Sequence, residues 1–324
     1  MNGILQSIAS FGNALPGAAA QGLIWGIMAI GLYITYKVLE LSDLTVDGSF
    51  CTGGAVCAVM MVSGYSVWVA MLAALIAGML AGAVTGFLHT KCKIPAILAG
   101  ILTQLGLWTI NMAIMGAQNG DMRSLLSLPS RSYKVLVALS FLESVPAGTR
   151  PFYYYPLFTV GVVTVVVIAA LYWFFGTERG ASIRATGANE HMARAQGINT
   201  NVNKMLGLML ANALVALSGA LFAQYQGSAE INMGRGAIVI GLAAIIIGDV
   251  LFGKLFKNFA LKLLAVSFGA IVYFVVIQAV LSLLKVDSQY LKLFSAMIVA
   301  IFLTIPNIKP HKKHHKAVKE DKVC

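Results

Sequence analysis

The sequence predicts an all-α, polytopic bundle of about nine transmembrane helices, arranged as two inverted-topology repeats with short or broken helices. The first reason is composition: 59% of the 324 residues are hydrophobic and only 11% are charged, whereas soluble domains are roughly 25% charged. The second is that apolar runs able to cross a hydrocarbon core about 30 Å thick recur along the chain. The third is that basic residues lie mostly in short segments between those runs.

Nine apolar runs are interpreted as spans. Two of them, 48–62 and 238–252, contain fifteen residues each and are rich in glycine or small residues, so a broken or re-entrant helix is the alternative. The membrane domain is predicted to cover residues 1–306, and 307–324 form a basic tail. The nine runs are 15–36, 48–62, 67–88, 95–115, 155–175, 205–224, 238–252, 261–284 and 291–305.

The basic residues also predict the topology. With the tail in the cytoplasm, sixteen Lys and Arg fall on the inner side and seven on the outer side, which favours an outer N-terminus and an inner C-terminus in a bacterial plasma membrane. The net charge of +11 is therefore interpreted as a topology signal and not as a nucleic-acid surface. No basic n-region precedes the first run, so a cleaved signal peptide is not expected.

The two fifteen-residue runs occupy corresponding places. Each follows a long helix and a polar, glycine-bearing connector, "LELSDLTVDGSF" in the first half and "QYQGSAEINMGRG" in the second. Their predicted orientations are opposite, as in transporters whose substrate path lies where broken helices meet. A chance likeness of two loosely similar halves is the alternative.

The polar segment 176–204 is predicted to be a compact cytoplasmic docking element. Asn189 can cap a short helix that begins at Glu190, and Gly197 can end it. An interfacial helix lying on lipid is the alternative. On the outer side, the loop 116–154 is expected either to receive a soluble binding protein or to cover the outer mouth.

Few polar groups fall inside the predicted spans. Asp249 is the acidic residue that lies inside a predicted span. It is interpreted either as an interfacial group near Lys254 or as a functional group. The surrounding "GDVLFGKL" lacks the Ser or Thr that a phosphate-binding loop needs after its lysine, so no nucleotide site is expected here. The cysteines show no metal-ligand spacing. The side-chain amides can bridge helices or meet a polar solute; they are Gln21, Gln104, Asn111, Asn212 and Gln278.

Three blocks carry a family resemblance: "LSDLTVDGSFCTGGAV", "IPAILAGILTQLGLWTINMAIMG" and "RATGANEHMARAQGIN". Because of these three blocks, residues 20–306 resemble the permease subunits of the branched-chain amino acid, ribose and nucleoside ABC importer superfamily. The chain is most similar to permease components associated with tryptophan and tyrosine import. The resemblance implies a second permease copy, two cytoplasmic ATPase subunits that bind ATP and Mg, and an extracytoplasmic substrate-binding protein. It implies no cofactor or metal in this chain.

The resemblance also implies residue roles. Coupling to the ATPase would fall on Gly187, Ala188, Asn189, Glu190, His191, Met192, Arg194 and Gly197. The candidate translocation path comprises Asp47, Gly48, Ser49, Gly234, Arg235 and Gly236 around the short helices, together with the in-span polar residues Asn111 and Asp249.

The expected function is ATP-driven import of a small solute. An aromatic amino acid is the expected substrate, and a branched-chain amino acid, a nucleoside or a sugar are the alternative substrates. The channel itself would carry no catalytic residue. The alternatives are an ion-coupled secondary transporter, which would need ionisable groups at mid-membrane, and a membrane-embedded enzyme.

Overall fold

The computed structural model describes residues 2–116, 122, 124–128, 156–253, 255–256 and 258–284, and beyond them 293, 296–297, 299–300 and 304. Nearly all of these residues are helical. The elements are α1 Asn2–Tyr33, continued by a π-helical turn Ile34–Val38, then α2 Val46–Val62, α3 Val67–Thr90, α4 Ala96–Gly116, β1 Leu125–Ser127, α5 Pro156–Gly176, α6 Glu178–Ala188, α7 Glu190–Ala195, α8 Thr200–Gln226, β2 Ser228–Glu230, α9 Ala237–Phe252 and α10 Phe259–Leu284.

Membrane-length apolar helices dominate the described part of the chain. Six are long and apolar enough to cross a bilayer, namely α1, α3, α4, α5, α8 and α10, and α2 and α9 are shorter apolar helices. The prediction of an all-α, multi-span membrane bundle is thus confirmed. The ninth predicted span, 291–305, lies mostly outside the described residues, and the count of nine, the repeat symmetry and the orientation of the termini stay predictions.

Helices α1 and α8 form the centre of the bundle. In each, 78% of the most apolar window is buried, against 28–33% in α3, α4 and α5. Trp25 on α1 stacks on Phe50 of α2 with ring centroids 4.9 Å apart, and its ring also meets Phe222 and Phe274. The outer helices instead expose large apolar side chains such as Leu72, a surface suited to lipid or to another membrane subunit.

Glycines let α3 approach α8 closely. A Cβ added at Gly78 would collide with the backbone of Asn212, and one at Gly82 would collide with the backbone of Leu208. Gly86 faces Met205 in the same way. Small residues at a spacing of four thus allow the backbones of the two helices to approach each other.

The two short helices run in opposite directions. Gly31 of α1 packs on Ala211 of α8, and Ile24 accepts a hydrogen bond from Ser218, so α1 and α8 are antiparallel. Helix α2 is parallel to α8, because Ser49 contacts Asn212 and Gly53, one turn later, contacts Ala216.

Helix α9 follows α1 in the same direction. Gly241 near its start contacts Met28, and Asp249 near its end pairs with Lys37. Because α1 opposes α8 and α8 parallels α2, α9 opposes α2. The N-terminus of α9 lies beside that of α2, since Gly234 packs directly on the backbone of Asp47.

Candidate functional site

The N-termini of α2 and α9 meet through the carboxylate of Asp47. Its Oδ1 accepts a hydrogen bond from the backbone N–H of Ile238 (3.0 Å), and its Oδ2 accepts one from that of Gly236 (3.2 Å). Gly236, the N-cap residue of α9, has a φ of 85° and no side chain with which to cap the helix. Asp47 therefore caps α9 from a different helix and places negative charge at the positive end of its dipole.

A cleft of about 240 Å³ opens beside this junction. It lies halfway along α4, because Gly48 faces Gln104 and Leu107 in the middle of that helix. Four of the predicted path residues line it, namely Asp47, Gly48, Asn111 and Arg235. The remaining lining residues are Cys51, Gln104, Leu105, Trp108 and Ile231.

Asn111 presents an unsatisfied acceptor in this cleft. The residue is only 1% exposed, and its Nδ2 donates to the carbonyl oxygen of Gly48 (3.4 Å). Its Oδ1 has no hydrogen-bond partner among the described residues. The Gly48 carbonyl also accepts a hydrogen bond from Thr52 Oγ1 (3.0 Å), and in this arrangement the oxygen of the Asn111 amide is the atom left without a partner in the part of the chain that the structure describes.

The other predicted path residues lie outside the cleft. Ser49 points into a buried network, and Gly234 and Gly236 shape the turn that begins α9. Asp249 lies at the opposite end of α9, where it forms an ion pair with Lys37 (3.3 Å). Lys254, the predicted neighbour of Asp249, lies outside the described residues, and residues 248–252 of "GDVLFGKL" are helical.

The buried network next to the cleft centres on Asp43, which sequence reasoning missed. Asp43 is 1% exposed, and its carboxylate accepts hydrogen bonds from the Thr45 N–H (2.9 Å) and the Asn212 Nδ2 (2.7 Å). Ser49 Oγ donates to the Asn212 Oδ1 (2.7 Å). Asn212 thus joins α8 to both the connector and α2, which is the bridging role predicted for in-span amides.

The polar end of the bundle carries the predicted docking element. Asn189 caps α7 through its side chain, which accepts a hydrogen bond from the Met192 N–H (3.0 Å). Gly197 ends the element with a φ of 78°, in agreement with the predicted cap and stop. His191 and Met192 are exposed on its surface.

Glu190 ties this element to α8. Its carboxylate accepts hydrogen bonds from Lys204 Nζ (2.7 Å) and Arg194 Nη2 (2.6 Å). The contact with Lys204, and then the charges of Lys204 and Arg194, lower the pKa of Glu190 below its usual value despite partial desolvation. A second link joins α6 to α8, because Asn203 donates to Thr186 Oγ1 (2.9 Å).

These features define a multi-pass membrane protein with a cleft half-way along its helices and a separate polar element formed by α6 and α7. Residues 15–305 match the protein family described as branched-chain amino acid transport system / permease component. The chain belongs to that family.

Several relatives share most of their length with this chain. It is 36% identical over 289 residues to a tyrosine transport system permease protein of Clostridioides difficile (strain R20291), covering 89% of this chain and 90% of that protein. It is 26% identical to the ribose import permease protein RbsC of Escherichia coli (strain K12), covering 92% of this chain and 86% of that protein.

A solved structure has the same fold. The chain aligns with "PsaBC from Streptococcus pneumoniae in complex with Fab" at a TM-score of 0.51 and 16% identity, covering 91% of this chain and 95% of that one.

Proposed function

We propose that this chain forms the translocation path of an ABC importer for a small solute, an amino acid, with an aromatic amino acid favoured. A separate ATPase subunit drives it, an extracytoplasmic binding protein delivers the solute, and a second permease copy completes the assembly. The N-terminus lies outside and the C-terminus in the cytoplasm. The observation that carries the proposal is the combination of family membership with a capped docking element linked to the cleft through one helix.

That link suggests how ATPase motion reaches the cleft. The exposed face of α7 offers Met192, which is 64% exposed, to a partner. Glu190 transmits a displacement of α7 to the start of α8 through Lys204. Helix α8 is continuous, and half-way along it Asn212 holds the connector and α2 at the wall of the cleft. A tilt of α8 therefore moves the start of α2 relative to α4.

The amino-acid assignment rests on relatedness. The similarity to a tyrosine transport permease covers 89% of the chain at 36% identity, higher than the 26% identity to the ribose permease. ATP and Mg would be bound by the partner ATPase.

One observation favours an ion-coupled secondary transporter as the second candidate. Asp43 is a fully buried acid without an ion-pair partner among the described residues, and buried acids can carry coupling protons. That mechanism predicts uptake driven by an ion gradient without any ATPase, and loss of that uptake in Asp43→Asn.

Reconstituted vesicles separate the two candidates. The chain is reconstituted with its ATPase and binding protein, and uptake of radiolabelled tyrosine is measured with ATP, without ATP, and with a proton or sodium gradient alone. Uptake that requires ATP and the ATPase supports the importer. Uptake by the chain alone down an ion gradient overturns it.

A charge placed on α7 tests the coupling role. Met192→Glu should abolish co-purification of the ATPase and ATP-driven uptake, because it puts a carboxylate in the centre of the proposed contact. Met122→Glu is the matched control, since Met122 is 60% exposed and lies in the segment leading to β1. ATPase binding that survives Met192→Glu unchanged contradicts the assignment of α7.

A further inference from the structure

The cleft between α2, α4 and the start of α9 carries separated charges at half depth. Asp47 and Arg235 both line it, yet Arg235 is exposed and forms no ion pair within the described part of the chain. Low local dielectric makes each of these charges costly to leave unmatched and effective at binding a complementary group. An anion on one wall and a cation on another form a dipolar site.

Asn111 supplies an independent observation that points to a ligand. Its Oδ1 is buried and unpartnered in the same cleft. Buried polar atoms are nearly always satisfied in native proteins, and the exceptions call for an explanation such as a missing ligand. A carbonyl oxygen accepts hydrogen bonds only, so the missing group is a donor.

The Asp47 carboxylate requires the same kind of group. It accepts two backbone N–H bonds and keeps lone pairs for further donors. A ligand that offers several N–H donors and a positive charge satisfies both Asp47 and Asn111, and a primary ammonium does so. The guanidinium of Arg235 selects the opposite group, because its planar fork matches a carboxylate in two parallel hydrogen bonds.

The rest of the cleft is suited to an apolar or aromatic side chain. Trp108 is 44% exposed, and Leu105 and Ile231 lie beside it. The volume of about 240 Å³ is smaller than the roughly 300–1,000 Å³ of pockets that hold drug-sized ligands, so the site suits one amino acid and not a peptide. A sugar or nucleoside carries no matching pair of opposite charges.

We infer that this cleft recognises the zwitterionic backbone of an aromatic amino acid during passage: Asp47 and Asn111 bind the ammonium, Arg235 binds the carboxylate, and Trp108 contacts the ring. The inference rests on the proposed importer function and adds that the permease itself selects the solute. Delivery by the binding protein would then be followed by a second selection inside the membrane.

Direct binding tests this site without the binding protein. The permease–ATPase complex is purified into lipid nanodiscs, and binding of radiolabelled L-tyrosine is measured in competition with tyramine, which lacks the carboxylate, and 3-(4-hydroxyphenyl)propionate, which lacks the ammonium. Both analogues should compete at least about tenfold less well than tyrosine, as the loss of one charge-assisted contact implies. Absence of saturable tyrosine binding, or equal competition by both analogues or by ribose, overturns the inference.

Variants assign the contacts. Arg235→Gln should weaken tyrosine binding about tenfold and leave tyramine binding unchanged, because only tyrosine has the carboxylate that Arg235 binds. Trp108→Leu should weaken binding of tyrosine and of both analogues to a similar degree. Both residues are exposed to the cleft, so the variants should fold, which size-exclusion chromatography checks. The controls are Lys91→Gln and Trp68→Leu, two exposed residues away from the cleft.

The uptake assay distinguishes failure of the site from failure of the function. If the wild-type complex imports tyrosine with ATP while Arg235→Gln and Trp108→Leu bind tyrosine like their controls, the recognition site is wrong and the importer stands. If the complex imports no amino acid and moves ribose instead, the proposed solute is wrong, and the zwitterion site fails with it.

Discussion

Helix α8 is held to its neighbours in two very different ways. At its start, Lys204 joins Glu190 and Arg194 in an ion cluster near the surface, where the exposed fractions of the Arg194, Glu190 and Lys204 side chains are 55%, 31% and 15%. Half-way along, Asn212 joins Asp43 and Ser49 in a network whose members are at most 1% exposed. The first contact is screened by water and salt, whereas the second is not.

This difference separates a weaker joint from a stronger one. Ion pairs near the surface contribute about 0.2–1 kcal/mol each, so the cluster that links α7 to α8 contributes less to stability than the buried network. A buried acid that loses a donor is left with an uncompensated polar group, which costs several times more. The buried network therefore attaches the cleft wall firmly to α8, whereas the link between α7 and α8 is the one that pH and salt can weaken.

The largest effect should come from breaking the buried joint. Asn212→Ala removes the donor to Asp43 and the acceptor of Ser49 together, and we expect a loss of about 3 kcal/mol in unfolding free energy because a buried carboxylate loses a partner. The midpoint of thermal unfolding in detergent, followed by intrinsic fluorescence, measures it.

Two serine variants provide reference values for the change in unfolding free energy of Asn212→Ala. Ser49→Ala should cost only about 0.6–1 kcal/mol, since one interhelical hydrogen bond is lost. Ser267→Ala should be close to neutral, because Ser267 is equally buried but donates to its own helix at Leu263 O (3.4 Å). If Asn212→Ala costs no more than Ser267→Ala, the network does not fix α2 to α8.

The packing beside this joint should show the next largest effect. Gly53→Ala places a methyl group against the backbone of Ala216 on α8, and we expect a loss of about 1–3 kcal/mol from overpacking. Gly161→Ala is the matched control, since a Cβ there meets nothing within 4 Å and alanine is the better helix former by about 1 kcal/mol. Equal unfolding midpoints for the two variants would contradict the close α2–α8 contact.

The contrast between the two joints also explains what sequence reasoning could find. The cap at Asn189 and the stop at Gly197 are local signals, so residue spacing alone predicts them. Apolar run length predicts the spans for the same reason. The Asp43–Asn212 contact joins residues 169 positions apart, and no spacing rule reports such a pair.

The cleft shows the same limit. Asp47 and the residues 234–236 lie in the two glycine-bearing connectors, which predicts a junction but not its chemistry. That Asp47 caps α9 depends on how α2 meets α9, and that Asn111 leaves an oxygen unsatisfied depends on how α4 packs against α2. Trp108 and Cys51 carry no local signal and line the cleft only through that packing.

The smallest effect should come from the exposed joint, and it should depend on pH. The lowered pKa of Glu190, caused first by its hydrogen bond with Lys204, means that the ionised carboxylate is stabilised in the folded state. That stabilisation is present above the unfolded pKa of about 4.3 and is lost as the pH falls through the lowered folded pKa. Glu190→Gln should therefore lower the unfolding midpoint at pH 7, by the equivalent of about 0.2–1 kcal/mol, and match wild type near pH 3.

Lys204→Gln provides the matched comparison for this pH effect. It removes the principal partner of Glu190, so it should reproduce most of the loss at pH 7, and the double variant should add little to either single change. Unfolding midpoints are measured for all four proteins from pH 7 to pH 3 at low and high salt, where high salt should shrink the differences. A gap between wild type and Glu190→Gln that widens toward low pH would contradict the sign of the pKa shift. A difference in unfolding midpoint that does not change with salt would show that this joint is as desolvated as the one at Asn212, and the division between a weaker and a stronger joint would fail.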